Sequence, residues 1–398
     1  MRASREIRVD DLLRSARASA GIGADIPAEG PGEELHAEGL RHLIASIGRH
    51  GERDPAKLQI LRHYLSLSVA ASFQLEKDIA EHPEIKNVPL EAPLFVVGFG
   101  RTGSTFIHNL LALDPNARAP RLWELWSPSP PPRPDAEPNG PRLALARLTL
   151  GWFAKEAPLV LQIHSMDPEA PDECHHLMRH STHLPMLYNA LEYWEWLRDL
   201  SDGDLAELFS HYRKQVQQLQ LHYGDRRWVS KSLAHLHYLP ILFDVFPGAK
   251  VVRLHRDPCE QIPSHCSLYA NLRKMFETSV DPKNVGQMVS DIFIDGIGRM
   301  VRADGNDTRE NCIDVLFDDL VARPTDVISE IYSKFGFEYR PDFHAAMLQY
   351  IERTASEPKF KHKYGLEEFG LSRKALLNRS EEYLEWLKSR TGARIARA

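Results

Sequence analysis

A short glycine-rich segment, residues 98–105, carries the residue types that bind anions. In order it reads Gly98, Phe99, Gly100, Arg101, Thr102, Gly103, Ser104 and Thr105. A short apolar run at 94–97 precedes it, and a helical pattern over 106–113 follows it. A loop between a buried strand and a helix presents backbone N–H groups and the helix dipole to an anion. The segment therefore predicts a phosphate-binding loop, called here the anion loop.

Two other kinds of protein use such a loop. Its glycines fit the G-x-G-x-x-G pattern of dinucleotide folds, and Glu124 follows them after about 20 positions, as that fold asks. However, the second strand of that fold would fall on residues 117–123, a poor strand pattern with a proline inside it. A nucleotide-hydrolysing loop needs a lysine where Ser104 stands. A kinase or ATPase is therefore the leading alternative, and a plain connecting turn is disfavoured by the polar side chains.

A second cluster of polar residues, His255-Arg256-Asp257-Pro258, ends the apolar strand pattern of residues 250–254. Ser264 follows Arg256 by eight positions, since 264 minus 256 is eight. An arginine fork at the end of a strand and a hydroxyl in the next helix can converge on one phosphate. Taken alone, Arg256 and Asp257 would more simply form a surface ion pair. Beside the anion loop, they indicate a second anion site.

The two motifs together resemble those of sulfotransferases that use 3′-phosphoadenosine 5′-phosphosulfate (PAPS). Residues 101–106 resemble the loop that binds the 5′-phosphosulfate in that family. Arg256 and Ser264 are similar to its 3′-phosphate site. The resemblance covers roughly residues 90–375 and is greatest to the large bacterial branch, related in layout to the tyrosylprotein sulfotransferases. It extends to the segments at 123–125, 228–232, 246–250 and 364–371.

The resemblance implies a chemistry and a set of residues. A sulfuryl group would pass in line from PAPS to a hydroxyl, with the protein mainly placing the reactants and their charges. Arg101 and Lys231 would stabilise the charge that grows on the departing 5′-phosphate, and no metal is required. The donor would be bound by Arg101, Thr102, Gly103, Ser104, Thr105, Arg256 and Ser264.

The attacking hydroxyl also needs a general base. Glu124 is the first candidate, because it lies in the region where the tyrosylprotein branch places a catalytic glutamate. Glu173, His175 and His176 are the competing candidates, because they follow a proline-rich segment and some sulfotransferases use a histidine base. The acceptor is expected to be a small hydroxylated molecule, lipophilic or aromatic.

Two further patterns have structural as well as functional interpretations. His176, His180 and His183 share one helical face, but no other ligand types complete a metal site, so none is predicted. An aromatic and aliphatic stretch over residues 184–197 would either line an acceptor pocket or pack on the sheet.

Strand patterns at 94–97, 228–230, 250–254 and 313–317 alternate with helical segments, which predicts an α/β fold with a parallel, P-loop NTPase-like sheet flanked by helices. Apolar spacings of three and four over residues 7–82 predict an N-terminal helical annex, with its domain at 1–88. Residues 89–398 form the second domain, the sulfotransferase core, with acceptor-pocket insertions at 125–225 and a C-terminal helical tail.

Composition limits the classes of partner. The net charge of −6 argues against a general nucleic-acid binder. No run approaches the roughly 20 apolar residues of a membrane span, and the start of the chain is too charged for a secretory signal. The four cysteines are scattered, as in a reducing compartment. We expect a cytoplasmic enzyme with a small-molecule partner; a homodimer and a nucleotide-sensing protein without catalysis are left open.

Overall fold

Five short strands form one parallel sheet in the computed structural model, which describes residues 7–21, 33–134, 140–164, 166–178, 185–356 and 364–393. The strand order is β2-β3-β1-β4-β5. The strands are β1 Leu94–Val97, β2 Ala117–Arg118, β3 Arg227–Ser232, β4 Lys250–His255 and β5 Cys312–Leu316. The predicted α/β fold class is confirmed.

The two faces of the sheet are buried in separate cores. In β1, Phe95 and Val97 point into a core built with helices of residues 202–302, whereas Leu94 and Val96 point into one built with helices of residues 104–111 and 324–355. Alternate side chains of a strand point to opposite faces, so a strand covered on both faces must be apolar throughout. This explains the unalternating run that predicted β1.

Helices make up most of the remaining described chain. The first ten are α1 Val9–Ser19, α2 Glu33–Arg49, α3 Pro55–Glu81, α4 Ser104–Leu111, α5 Leu122–Trp126, α6 Pro141–Glu156, α7 Pro158–Ile163, α8 His175–Met178, α9 Pro185–Tyr188 and α10 Leu191–Asp199. The others are α11 Asp202–Gln220, α12 Leu239–Val245, α13 Pro258–Arg273, α14 Pro282–Arg302, α15 Asn306–Asn311, α16 Phe317–Ala322, α17 Pro324–Phe335, α18 Pro341–Ala355, α19 Arg373–Arg379 and α20 Glu381–Thr391. Short 3₁₀ helices cover Pro83–Asn87, Ala234–Tyr238 and Glu367–Phe369.

β2 is the strand that the sequence pattern did not predict. It is two residues long and pairs with the start of β3 at the sheet edge, where Ala117 lies opposite Arg227. Pro120 follows soon after β2, and an edge strand needs only one partner. The acidic residue beyond it, Glu124, lies in α5.

The N-terminal helices share a core with the aromatic stretch. Leu43 and Leu61 pack in one cluster with Tyr188, Tyr193 and Phe276. Most of the aromatic stretch therefore packs as core, and within the described part of the stretch Leu187 is the residue that lines the large cavity described below. Leu184 falls outside the described residues.

The C-terminal helix α20 is tied to the sheet by a buried ion network. Arg253 donates to both carboxylate oxygens of Asp314 at 2.7 and 2.9 Å, and His255 Nε2 lies 2.9 Å from the same carboxylate. Arg390 of α20 reaches Asp314 at 3.3 Å. Burial alone would raise the pKa of Asp314, but His255 and Arg253 hold it well below its usual range.

Across the described ranges, none of the helices combines the length and the apolar character that crossing a bilayer would need.

Candidate functional site

The anion loop joins β1 to α4 through unusual backbone angles. Gly98 has φ 145° and Gly103 has φ 80°, values that glycine adopts readily. A Cβ on Gly98 would lie 2.9 Å from the backbone oxygen of Leu254. Thr102 Oγ1 donates to the Phe99 carbonyl at 2.9 Å and closes the turn. The loop therefore lies directly against β4, the strand that ends at the second predicted motif.

Arg101 joins the two predicted anion sites. Its Nε donates to Ser264 Oγ at 3.1 Å, and its backbone carbonyl accepts a hydrogen bond from Arg256 Nη1 at 2.8 Å. Its Nη1 donates to the Ile163 carbonyl at 2.7 Å. Burial lowers the pKa of Arg101, and the charge of Arg256 lowers it further. The structure thus brings together three predicted donor-binding residues from distant parts of the chain.

Lys231 supplies an ammonium group to the anion loop from a neighbouring strand. It is 2% exposed, and its Nζ donates to Thr105 Oγ1 at 3.1 Å. In a nucleotide-hydrolysing loop the lysine would come from position 104, which is Ser104 here. The positive charge that such a loop would carry at position 104 is therefore supplied here by Lys231 of β3.

Glu173 forms an ion pair with Lys231, at 3.0 Å between Oε1 and Nζ. The backbone N–H of Cys174 donates to the Lys231 carbonyl at 2.9 Å, which fixes the two segments against each other. Burial acts to raise the pKa of Glu173, but Lys231 and a hydrogen bond from His175 outweigh it and hold the pKa well below its usual range. His175 Nδ1 lies 3.2 Å from Glu173 Oε2.

Glu124 has a different environment from its competitors. It is fully buried, and its Oε2 lies 3.0 Å from Arg118 Nη2 and accepts from the Arg121 N–H at 2.7 Å. Its Oε1 accepts from the Tyr223 hydroxyl at 3.1 Å. Both carboxylate oxygens therefore have partners in the described structure. These contacts join β2, α5 and the segment that follows α11.

A cavity of about 670 Å³ opens beside the anion loop. Its polar end is formed by Arg101, Thr105, Glu173 and His175, and His176 also lines it. Its walls are mainly apolar and come from α3, α6 and α13. Pockets of about 300–1,000 Å³ with a few convergent polar groups typically bind small molecules. Among the described residues that line it, Glu173, His175 and His176 are the base candidates, and Glu124 is not included.

Two site residues on α13 were missed by the sequence analysis. Gln261 Nε2 donates to the Gly100 carbonyl at 3.2 Å. His265 is buried against the loop, and a Cβ on Gly100 would lie 2.7 Å from its ring. Neither ring nitrogen of His265 has a hydrogen-bond partner in the described part of the chain, and burial lowers its pKa to about 4. Positions 261, 264 and 265 share a helix face, so Ser264 could have identified both.

Within the described ranges, no group of three or more histidine, cysteine, aspartate or glutamate side chains has a metal-binding arrangement. Of the three histidines with helical spacing, His176 lines the cavity, and His180 and His183 lie outside the described residues.

The fold and this site define a class of protein: a parallel α/β domain with a glycine-rich loop after its central strand, two arginines in contact at that loop and a cavity of the size that small molecules occupy. The model of the sulfotransferase family matches residues 93–341, well over half of the chain. The chain belongs to this family.

Solved structures of two mycobacterial proteins are similar over nearly the whole chain. The sulfotransferase STF1 from Mycobacterium tuberculosis H37Rv is 25% identical, with a TM-score of 0.82 over 94% of this chain and 99% of its own. STF9 from Mycobacterium avium is 23% identical, with a TM-score of 0.80 over 94% of this chain and 95% of its own. The latter similarity supports the fold.

A curated relative from Mycobacterium bovis is named as the omega-hydroxy-beta-dihydromenaquinone-9 sulfotransferase Stf3. It is 25% identical over 230 residues, which are 54% of this chain and 55% of the relative. The match thus spans about half the length of this relative.

Proposed function

We propose that this chain transfers a sulfuryl group from PAPS to a hydroxyl of a small, largely apolar acceptor. The observation that carries the proposal is the double contact of Arg101, whose side chain binds Ser264 and whose carbonyl binds Arg256. One ligand with two separated anionic groups would meet both of its charges there. Family membership and the cavity beside the loop support the same conclusion.

The residues present fit such a donor. A Cβ on Gly98 would clash with the backbone of Leu254 and one on Gly100 with the ring of His265, so glycine at both positions lets the loop backbone, with its N–H groups, lie between β4 and α13. The loop N–H groups, the start of α4, Arg101 and Lys231 would hold the 5′-phosphosulfate, and Arg256 with Ser264 would hold the 3′-phosphate. When bound, PAPS supplies the activated sulfuryl group. The residues of this chain place that group and neutralise the charge that develops.

We infer that Glu173, and not Glu124, takes the proton from the acceptor hydroxyl. Glu173 lines the cavity, and its carboxylate is close to both Lys231 and His175. An anion on the loop competes with Glu173 for the ammonium group of Lys231. As that ion pair weakens, the pKa of Glu173 loses one of the interactions that lower it, so its proton affinity rises, as a general base requires.

The nature of the acceptor is inferred from the cavity and from a relative. A hydroxylated acceptor agrees with the name of the Mycobacterium bovis relative, and an apolar one agrees with the cavity walls. The cytoplasm as location and the absence of a metal requirement stay predictions of the sequence, and a homodimer stays open.

Titration calorimetry on the full chain tests the donor. We expect tight binding of PAP, the product of PAPS, and much weaker binding of ATP and NAD. Arg256→Ala should weaken PAP by about ten- to a hundredfold, because a charge-assisted hydrogen bond contributes about 1.5–3 kcal/mol. It should weaken adenosine 5′-phosphosulfate far less, because that compound lacks the 3′-phosphate.

The matched control is Arg340→Ala, which removes an exposed arginine paired with Asp342. It should leave both affinities unchanged. Tight ATP binding without PAP binding would contradict the proposed donor, and equal losses for both nucleotides in Arg256→Ala would contradict the role of Arg256.

A further inference from the structure

Three exposed leucines surround the outer end of the large cavity. Leu67 of α3 is 49% exposed, and Leu145 and Leu148 of α6 are 56% and 74% exposed. All three also line the cavity, so they lie where it meets solvent. We call them the leucine rim. Isolated exposed leucines need no explanation, but a group around an apolar opening is typical of a ligand-binding groove.

The mainly apolar walls include one face of α3 and one face of α6. On α3 the lining residues are Gln59, Ile60, His63, Tyr64 and Leu67, and on α6 they are Leu145, Ala146, Leu148, Thr149, Trp152 and Phe153. Both sets have the spacing of one helical face. From 59 to 67, α3 advances by about 12 Å at 1.5 Å per residue. The leucine rim and the polar group of Arg101, Thr105, Glu173 and His175 therefore line one continuous cavity, called the channel below.

We propose that the acceptor is a single-chain amphiphile with a terminal hydroxyl, whose tail lies between α3 and α6 and leaves the protein over the leucine rim. The position of the hydroxyl, at the end formed by Thr105 and Glu173, rests on the proposed function. The position of the tail rests on the channel alone.

A hydrocarbon tail is the occupant that fits the mainly apolar lining. A compact polar acceptor would need only the inner end, and the rim of its pocket would be polar, as pocket entrances exposed to water usually are. A protein partner would cover the rim but would leave the interior of the channel empty. A flexible hydrocarbon chain fills the channel and covers the leucines at its mouth. Each methylene that it buries tightens binding by about fourfold.

Simple alcohols test the channel without donor or turnover. Butanol, octanol and dodecanol are titrated into the full chain by calorimetry, since the three alcohols differ in the length of apolar tail that the channel can bury. We expect affinity to increase with chain length. The double variant Leu145→Ser/Leu148→Ser should weaken dodecanol by about tenfold or more and change butanol by less than twofold.

The matched control is Leu348→Ser/Val321→Ser. These residues are 50% and 58% exposed on α18 and α16, and neither is among the described residues that line the cavity. The control should bind all three alcohols like the unmodified chain. Equal losses for butanol and dodecanol in the rim variant, unchanged dodecanol binding in it, or no dependence on chain length would overturn the proposal.

Failure of the proposed function would be recognised separately. If PAP does not bind but the alcohols behave as expected, the channel stands and the donor assignment is wrong. If PAP binds but alcohol affinity does not depend on length, the donor assignment stands and the tail channel is wrong.

Discussion

At the scale of single residues, the partly buried Glu173 and the fully buried Glu124 have opposite settings. Glu173 shares its carboxylate with Lys231 and His175 at the edge of a cavity, whereas Glu124 is enclosed by Arg118, the Arg121 N–H and Tyr223. A base must reach the proton that it removes, so geometry favours Glu173. A carboxylate with every oxygen satisfied inside the protein contributes to folding instead.

The pair Glu173→Gln and Glu124→Gln distinguishes these roles. Glu173→Gln should lower kcat by about a hundredfold or more, because a general base contributes about 10²–10⁴. PAP affinity should stay within a few-fold. Glu124→Gln should keep kcat and lower the free energy of unfolding by about 3 kcal/mol, because Arg118 loses its buried counter-charge.

Turnover for this pair is measured as PAP release from PAPS, with the best acceptor from a panel of alcohols and phenols. Stability is measured by urea unfolding, so that a loss of folded protein is not mistaken for a loss of catalysis. If Glu124→Gln remains folded and abolishes turnover while Glu173→Gln does not, Glu124 is the base, as predicted from the sequence, and the assignment of Glu173 is wrong.

The sequence identified most polar groups of the site but not their pairing. The anion loop, Arg256 and Ser264 could be predicted because short motifs next to a strand end carry them. Lys231 and Glu173 are 58 positions apart, since 231 minus 173 is 58, and their contact depends on how residues 173–174 lie along β3. Local patterns carry no information about such a contact.

At the scale of elements, α13 supports the whole anion loop. Gln261 binds the Gly100 carbonyl, Ser264 binds Arg101, and the His265 ring lies against Gly100. Arg256 precedes this helix by two residues and reaches the Arg101 carbonyl. A change in the position of α13 would therefore move the loop, and a side chain added to the loop would press on α13.

Gly100→Ala tests this coupling. The new methyl group would lie 2.7 Å from the His265 ring, too close for any real contact, so the loop or the ring must shift. We expect PAP affinity to fall by about tenfold or more. His265→Ala in the same chain should restore much of that loss, because it removes the atoms that the methyl meets. Calorimetry on the two single variants and the double variant measures the coupling.

Additive losses in that cycle would mean that the methyl group disturbs the loop backbone itself, and the contact with α13 would then be unimportant. A suitable control is Gly151→Ala on α6, where an added Cβ has no neighbour within 4 Å.

The sequence predicted four of the five strands and missed the fifth. The four strands of the sheet interior and its far edge, β1, β3, β4 and β5, were predicted within two residues at each end, because burial gives each of them at least two consecutive apolar residues. β2 was missed because two residues carry no periodicity. Its existence depends on pairing with β3, a contact distant in sequence.

At the scale of the whole molecule, buried neutral histidines couple folding to pH. His108, His235 and His265 lie on different elements and are 2% exposed or less. Burial lowers their pKa values to about 4, 3 and 4 respectively. In the unfolded chain each would titrate near its ordinary value of about 6.5. Between about pH 6.5 and 4 the unfolded state therefore binds more protons at these histidines than the folded state.

The stability from these histidines is thus fully present above about pH 6.5 and is lost as the pH falls. Within that window each histidine adds about 1.4 kcal/mol per pH unit to the change of the free energy of unfolding with pH. Carboxylates with a lowered pKa, such as Asp314, also make the folded protein less stable as the pH falls, but only below their unfolded pKa near 3.8. Carboxyls with raised pKa values, such as Asp78 and Glu277, oppose the trend. A single histidine variant isolates one contribution from this sum.

His235→Phe is the most suitable variant, because the ring lies among Phe95, Phe209 and Tyr212 and a phenyl ring fits that setting. Urea unfolding at pH 7, 6 and 5 gives the free energy of unfolding of variant and parent. We expect the stability of the variant relative to the parent to increase as the pH falls, by about 1.4 kcal/mol per pH unit below pH 6. A constant difference across the three pH values would show that His235 takes up its proton equally in both states. Since the opposing carboxyls are the same in both proteins, they cancel in this difference, and the result reports the buried imidazole alone.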